Sequence, residues 1–349
     1  MKEKNVTIRK IAKIAGVSTT TAFRVLSGEG PVKDSTRIKV LAAQDLLENR
    51  KDGSTQPEST RSVGIIMPAA TAQDIGRHPS MFVTVTNFLS EISSRGITNS
   101  VIVFDENTTT GESLLSLGKD GFLVTGTSEE QEAIIIPALS QAHIPCVLVN
   151  RETNAPFMSC VNIDDFAATV SATEHLLSLG HRKIVFLGGT RNYQNTKRRV
   201  QGFQQAMDSH GISLNEGSIF FGEYSELSGY EMAMKMLALK ERPTAAVCAS
   251  DPIAIGCMRA LEHSGIRVPD DFSVIGFGNI DSGRTTTPPL TTVFQCSVEV
   301  GCVAARVLMQ MMDMPIIVSQ KVLLQTDLVI RGSASQLTTD SRCSKDTEE

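Results

Sequence analysis

No apolar run in the 349-residue chain reaches the ~18 residues needed to span a bilayer, and Pro68, Pro137 and Gly188 interrupt the longest candidates. A transmembrane helix is therefore excluded. The charged opening Met1-Lys2-Glu3-Lys4-Asn5 leads into no apolar signal core, so export by a cleaved peptide is not expected. The seven cysteines (Cys146, Cys160, Cys248, Cys257, Cys296, Cys302, Cys343) form no C-x-x-C pair. Most sit in apolar segments, as expected of buried thiols in a reducing cytosol. Catalytic signatures are missing too. No G-x-G-x-x-G follows the first expected strand, and neither H-E-x-x-H nor G-x-S-x-G occurs, which disfavours a dinucleotide enzyme, a zinc protease and an α/β-hydrolase. Gly111 to Lys119 superficially resembles a phosphate loop, but its spacing is wrong and Asp120 stands where a hydroxyl is needed. His175 and His181 are six apart and cannot share a helical face as metal ligands. The expectation is a non-enzyme with no metal and no cofactor.

With 41% hydrophobic and 20% charged residues, the chain is ordinary globular material. Its net charge of −5 hides an asymmetry. Residues 1–50 carry ten Lys or Arg against five Asp or Glu, a net +5, so the remainder carries −10. A basic head on an acidic body is the charge layout of a domain that meets a polyanion.

Three short helical patterns fill that head. Thr7 can cap a first helix through Ile8, Ile11, Ala12 and Ala15, Gly16 stops it, and Ser18 is placed to cap a second through Thr21, Ala22, Val25 and Leu26. A third runs from about Asp34 to Leu47, with Ile38, Leu41, Ala42, Asp45 and Leu46 on one stripe. Helix, tight turn and helix make a helix-turn-helix, whose second helix lies in the major groove of DNA. Thr19, Thr20 and Arg24 then face base edges, with Arg24 able to donate two hydrogen bonds to one guanine. Ser18 and Thr21 suit phosphates, and the DNA-contacting set is Thr7, Ser18, Thr19, Thr20, Thr21 and Arg24. Residues 48–62 hold no large aliphatic side chain and read as a linker.

From Val63 the texture changes to apolar strands alternating with helices. Strands are expected at Val63–Met67, Ser100–Phe104, Gly121–Thr125, Cys146–Val149, Lys183–Leu187, Ser218–Gly222, Ala245–Cys248, Phe272–Gly276 and Thr291–Phe294. Most are continuously apolar, as in parallel sheets covered on both faces. Some 270 residues exceed one core, so two doubly wound parallel sheets with a cleft between them are expected. The polar residues 335–349 are expected to be disordered.

Thr7 through Ser18, followed by Arg24-Val25-Leu26-Ser27-Gly28, resembles the head of LacI/GalR-family transcriptional regulators. The body agrees through His175-Leu176-Leu177, Gly180-His181-Arg182-Lys183-Ile184, Arg199 with Gly202-Phe203, Ser250-Asp251 with Ala254-Ile255-Gly256, Val268-Pro269, and Pro288-Pro289-Leu290-Thr291-Thr292. The resemblance implies a small all-α helix-turn-helix head at 1–47, a linker at 48–62, and a two-lobed core like that of periplasmic sugar-binding proteins at 63–334. The N-lobe is expected at about 63–161 plus 290–318, and the C-lobe at about 162–289 plus 319–334. It further implies a cytoplasmic, nucleoid-associated repressor: a homodimer on near-palindromic double-stranded operator DNA, controlled by a small sugar-like effector. The alternative is a cytosolic sugar or sugar-phosphate binding protein without operator-specific DNA binding. Met81, Phe82, Val85 and Phe88 are candidates for an apolar dimer face or, equally, for packing within the lobe.

Ligands of open α/β sheets bind outside the carboxyl ends of the strands. That rule selects Asn150, Arg151, the Arg199 region, Tyr224, Ser250, Asp251, Phe277 to Asn279, and Gln295. The resemblance makes Asn150, Arg199 and Asp251 partners of sugar hydroxyls and Tyr224 an aromatic that stacks on the ligand. The effector set is Asn150, Arg151, Arg199, Tyr224, Asp251, Asn279 and Gln295. Three departures from the family pattern matter. The linker has no Leu to wedge into the minor groove, so Arg50, Lys51 and Arg61 are expected to meet phosphates instead. Phe23 replaces a usual Ser. Gly278 and Ala69 stand where acidic residues are common, so a pocket keeping Arg151 and Arg199 would tolerate a sugar phosphate or a sugar acid.

Overall fold

The computed structural model describes residues 12, 15–27, 32, 36, 40, 61–73, 79–105, 107–215, 217–314 and 319–337. The chain divides into two units, residues 1–60 and 61–349.

In the first unit, Gly16 takes a left-handed backbone (φ +66°) between two helical stretches, a conformation that favours glycine. Helix α1 (Thr19–Ser27) follows, with the Thr21 N–H donating to Ser18 Oγ at 3.1 Å, a side-chain cap on its first turn. Ala22 and Val25 are buried with Ala12 and Val40. Val40 is fully buried although it lies off the stripe expected for the third helix. Thr7, Lys51, Arg50 and the expected third-helix residues Ile38, Leu41, Ala42, Asp45 and Leu46 lie outside the described residues.

The second unit holds two six-stranded sheets. In chain order its elements are β1 (Ser62–Pro68), α2 (Ala69–Gln73), α3 (Pro79–Ser93), β2 (Thr98–Phe104), α4 (Gly111–Leu115), β3 (Gly121–Thr125), α5 (Glu129–Gln141), β4 (Cys146–Val149) and β5 (Met158–Ile163). Then come α6 (Asp165–Ser178), β6 (Ile184–Gly188), α7 (Gln194–Ser209), β7 (Ile219–Phe221), α8 (Glu226–Leu237), β8 (Ala245–Cys248), α9 (Asp251–His263) and β9 (Ser273–Gly278). The chain ends through α10 (Asp281–Arg284), β10 (Thr291–Phe294), α11 (Ser297–Asp313), β11 (Lys321–Leu324) and β12 (Leu328–Val329). The N-lobe sheet runs β11-β5-β4-β3-β1-β2, and the C-lobe sheet β12-β10-β9-β8-β6-β7. All pairings are parallel except that β12 runs antiparallel to β10.

The expected lobe boundaries need correction. Thr291–Phe294 is β10 and pairs with β9, so it belongs to the C-lobe; Lys321–Leu324 is β11 and pairs with β5, so it belongs to the N-lobe. Asn162 and Ile163 complete β5 and also fall in the N-lobe. The chain therefore crosses between lobes after β5, after β10 and after β11. Helix α11 returns to the N-lobe because Val300, Ala304, Val307, Leu308 and Met311 are buried, the Val, Leu and Met side chains contributing about 1.5–3 kcal/mol each. It packs along α3, and this contact takes up Val85 and Phe88. Those two residues are core, not dimer face; of the four candidates only Phe82 is largely exposed. The helical spacing that grouped them points inward.

The expected disorder of the tail is also corrected at its start. Ser335 to Leu337 dock on the C-lobe, where Leu337 N–H donates to Leu179 O (2.8 Å) and Ser335 N–H to Ser273 Oγ (3.1 Å). His181 joins them: its Nε2 meets Ser335 O at 3.1 Å and its Nδ1 meets Thr244 Oγ1 at 2.9 Å. Since a carbonyl only accepts, Nε2 carries the proton and Nδ1 accepts from the threonine. Burial holds the His181 pKa below its ordinary value. The unfolded chain thus takes up a proton near pH 6.5 that the folded chain resists, so this contribution to stability is full above pH 6.5 and is lost on acidification. Thermal melts are expected to fall between pH 7.5 and 5, and His181→Gln should flatten that fall; an unchanged slope in the variant would refute the assignment.

Candidate functional site

On α1 the apolar face is used up by Ala22 and Val25, which leaves Ser18, Thr19, Thr20, Phe23 and Arg24 exposed and Thr21 half-buried. Ser18 and Thr21 also share a hydroxyl–hydroxyl contact of 2.8 Å. Arg24 stands on the opposite side of the helix from the buried residues, available to a partner outside this unit. Arg61, at the start of the second unit, pairs on the surface with Asp313 of the same unit.

The second site is a cavity of about 100 Å³ between the lobes. It lies outside the carboxyl ends of strands from both sheets, where open α/β folds place ligands. Gly126 follows β3, Asn150 and Arg151 follow β4, Ser250 lies just past β8, Phe277 is the penultimate residue of β9 and Gln295 follows β10. Tyr193, Asn195 and Arg199 at the start of α7, with Tyr224, supply another wall, and Pro79 to Met81 at the start of α3 cover it. Contacts between α7 and the N-lobe fasten one side: Lys197 Nζ–Glu129 Oε1 at 2.6 Å, and the Glu152 N–H donating to Gln194 Oε1.

Arg151 is set by its backbone. Asn150 takes φ +61°, a left-handed conformation that asparagine tolerates, and turns the chain at the end of β4. Asn162 on the adjacent strand β5 then holds the next residue from both sides: its Oδ1 accepts from Arg151 N–H (2.9 Å) and its Nδ2 donates to Arg151 O (2.6 Å). The guanidinium, on a side chain only 4% exposed, meets Glu132 Oε1 through Nε at 2.7 Å and lies 5.5 Å from the Tyr193 ring centroid. Burial pushes the Glu132 carboxyl pKa up, against the pull of Arg151 and the Thr127 hydroxyl.

Arg199 is fixed in the same manner from the other lobe. Its Nε donates to Asp165 Oδ1 at 2.7 Å, Nη1 donates to Ala249 O, and its guanidinium carbon sits 3.6 Å from the Phe277 ring centroid. Asp165 opens α6 of the same lobe, so this is an ion pair within the C-lobe. Burial pushes its carboxyl pKa up while Arg199 opposes the shift. One nitrogen of each arginine, Arg151 Nη1 and Arg199 Nη2, is buried without a hydrogen-bond partner. Tyr224 stacks on Tyr193 with centroids 6.3 Å apart, and its hydroxyl meets Thr196 Oγ1 at 2.6 Å.

Of the residues selected from sequence, Asn150, Arg151, Arg199, Tyr224, Ser250, Phe277 and Gln295 line this cavity. Asp251 and Asn279 do not, and both expectations are corrected. Asp251 is fully buried at the start of α9, where Ser250, not Asp251, is the cap. Its carboxylate accepts from Thr292 Oγ1 (2.5 Å) and Ile280 N–H (2.8 Å), tying α9 to β10 inside the C-lobe. The Asn279 side chain is engaged by Arg331 Nη2 at 2.5 Å, and the residue faces a neighbouring cavity. Gly278 has φ +138°, which favours glycine, and a Cβ there would lie 3.4 Å from Asp251 Oδ2. The sequence does not mark the lining residues Gly126, Val149, Tyr193, Asn195, Pro79, Ser80, Met81 and Pro252. Tyr193 and Asn195 were findable as polar residues beside Arg199 at a helix start; Asn162 carried no signal in its strand.

Comparison with known proteins covers both units. Residues 7–48 match the family described as bacterial regulatory proteins, lacI family, and residues 173–334 match the periplasmic binding protein-like domain. The chain is 30% identical to the HTH-type transcriptional regulator DegA of Bacillus subtilis over 338 residues, covering 95% of this chain and 99% of the relative. It is 28% identical to the probable HTH-type transcriptional repressor ExuR of the same organism, covering 96% of this chain and all of the relative. Among solved structures, the lac repressor dimer bound to operator and an anti-inducer matches with a TM-score of 0.70 at 25% identity, over 93% of this chain and 98% of that one.

Proposed function

The chain belongs to the LacI family of bacterial regulatory proteins, and from that premise we propose a sequence-specific DNA-binding repressor whose operator affinity is set by a sugar-like effector held between its lobes. The observation that carries this reading is the cavity itself: it draws polar side chains from strand ends of both sheets, so a ligand in it contacts two lobes at once. Such a ligand favours one lobe arrangement over another only through unequal contacts with the two, which is the thermodynamic requirement for an allosteric signal. Three chain crossings between the lobes provide the hinge.

The head works by the exposed face of α1, with Arg24, Thr19 and Thr20 toward base edges and Ser18 and Thr21 toward phosphates. One such helix reads only a few base pairs, so a homodimer on a near-palindromic operator follows from geometry. The ancestry is regulatory and not enzymatic, and the relatives DegA and ExuR are named as a transcriptional regulator and a repressor. No helix among the described residues is long and apolar enough to cross a membrane, and a cytoplasmic, nucleoid-associated location suits a protein that reads DNA.

The test is selection of duplexes from a random pool by the purified protein, followed by competition binding at fixed salt. Selected duplexes are expected to bind on the order of 10³-fold tighter than random DNA. Equal affinity for both, with sugars still bound, would leave a sugar-binding protein without operator recognition.

A further inference from the structure

We propose that the effector is a small polyhydroxylated anion, its negative group held between Arg151 and Arg199. This rests on the effector reading given above and specifies the ligand's charge.

Among the described residues no acidic side chain lines the cavity, whereas two buried guanidinium groups do, one from each lobe. Glu132 and Asp165 balance these arginines but are not lining residues; they engage the Nε side of each fork. Both arginines line the cavity, and one nitrogen of each, Arg151 Nη1 and Arg199 Nη2, is buried with no acceptor. A buried donor without a partner is costly, and guanidinium nitrogens cannot relieve that cost by losing a proton. A neutral hydroxyl placed there satisfies the guanidinium but brings a proton of its own that needs an acceptor, and neither arginine offers one. Carboxylate or phosphate oxygens are acceptors only, so they suit such donors and make charge-assisted bonds with them. The remaining lining suits the rest of such a molecule. Amides of Asn150, Asn195 and Gln295 both donate and accept, as hydroxyls require, and the rings of Tyr193 and Tyr224 cover C–H surface. Because the arginines come from opposite lobes, an anion bridging them draws the lobes together, coupling charge recognition to domain position.

The experiment is calorimetric titration of the full chain with matched probes: glucose, glucuronate and glucose 6-phosphate, and galactose with galacturonate. The expected result is that at least one acid or phosphate binds ten or more times tighter than its neutral parent. Which one binds separates a carboxylate from a phosphate source. In the double variant Glu132→Gln/Arg151→Gln, which removes the fork without leaving a lone buried charge, that ligand should bind about 10–100-fold weaker. A neutral parent bound as tightly as its acid would overturn the inference and leave the effector reading standing, as would an acid whose affinity the double variant leaves unchanged. No binding by either series would instead remove the sugar-like effector, and this inference with it. If the double variant melts well below the parent, Arg151→Lys keeps the pair with Glu132 but loses the fork, and the same loss of preference for the acid is expected.

Discussion

Arg199→Ala is expected to destabilise the core by about 3–5 kcal/mol, the cost of leaving one member of a buried ion pair without the other. Arg199 is 2% exposed, and its removal strands the Asp165 carboxylate in the same interior, frees Ala249 O and uncovers the Phe277 ring. The sign of the pH dependence follows from Asp165. Its carboxyl pKa already sits above the ordinary value through burial, and losing the arginine removes the main opposing influence. A carboxyl whose folded pKa is raised costs nothing below the unfolded value and progressively more as pH rises through the folded one. Denaturant unfolding at pH 5 and pH 8 should therefore give a smaller difference between Arg199→Ala and the parent at pH 5. A loss independent of pH would show that Asp165 is not the group left stranded. The double variant Asp165→Asn/Arg199→Met removes both charges at similar volume and should recover most of the stability. With the core intact, it also isolates the ligand role, and the rise in melting temperature on effector binding should vanish.

Arg24→Ala is expected to lose about 1–3 kcal/mol of specific operator binding, a five- to 150-fold weakening. The residue is exposed on α1, opposite Ala22 and Val25, so truncation leaves the head's core untouched. Fluorescence anisotropy on the selected duplex and on random DNA separates two roles. Loss on the selected duplex alone means that Arg24 reads a base, and equal loss on both means that it meets only phosphate. Arg24→Lys should not restore affinity, because an ammonium cannot reproduce the planar two-donor contact with guanine.

Much of the site could be found from strand ends alone. Asn150, Arg151, Tyr224 and Gln295 were selected because they follow or flank apolar strands, and the cavity lies there. Asp251 satisfied the same rule and still turned inward, because Thr292 and the Ile280 N–H, 41 and 29 residues away, reach its carboxylate first. Local pattern does not distinguish a carboxylate that faces a ligand from one that ties two elements together. Likewise β5 was not expected: Ser159 and Asn162 interrupt its apolar character, yet every one of its residues is buried. The two-residue β12 has too little length to leave a periodic signal.

The sequence alone determined the division into a basic helical head and an acidic α/β body, the turn at Gly16, and nine strands within a residue or two. These depend on short-range causes: apolar periodicity, caps, and the backbone freedom of glycine. Only the tertiary structure decided which lobe owns β10 and β11, why Val85 and Phe88 serve the interior, and where the two arginines leave a nitrogen unpaired. Those outcomes depend on groups brought together from distant parts of the chain, where competition for one carboxylate or one groove is settled by three-dimensional packing.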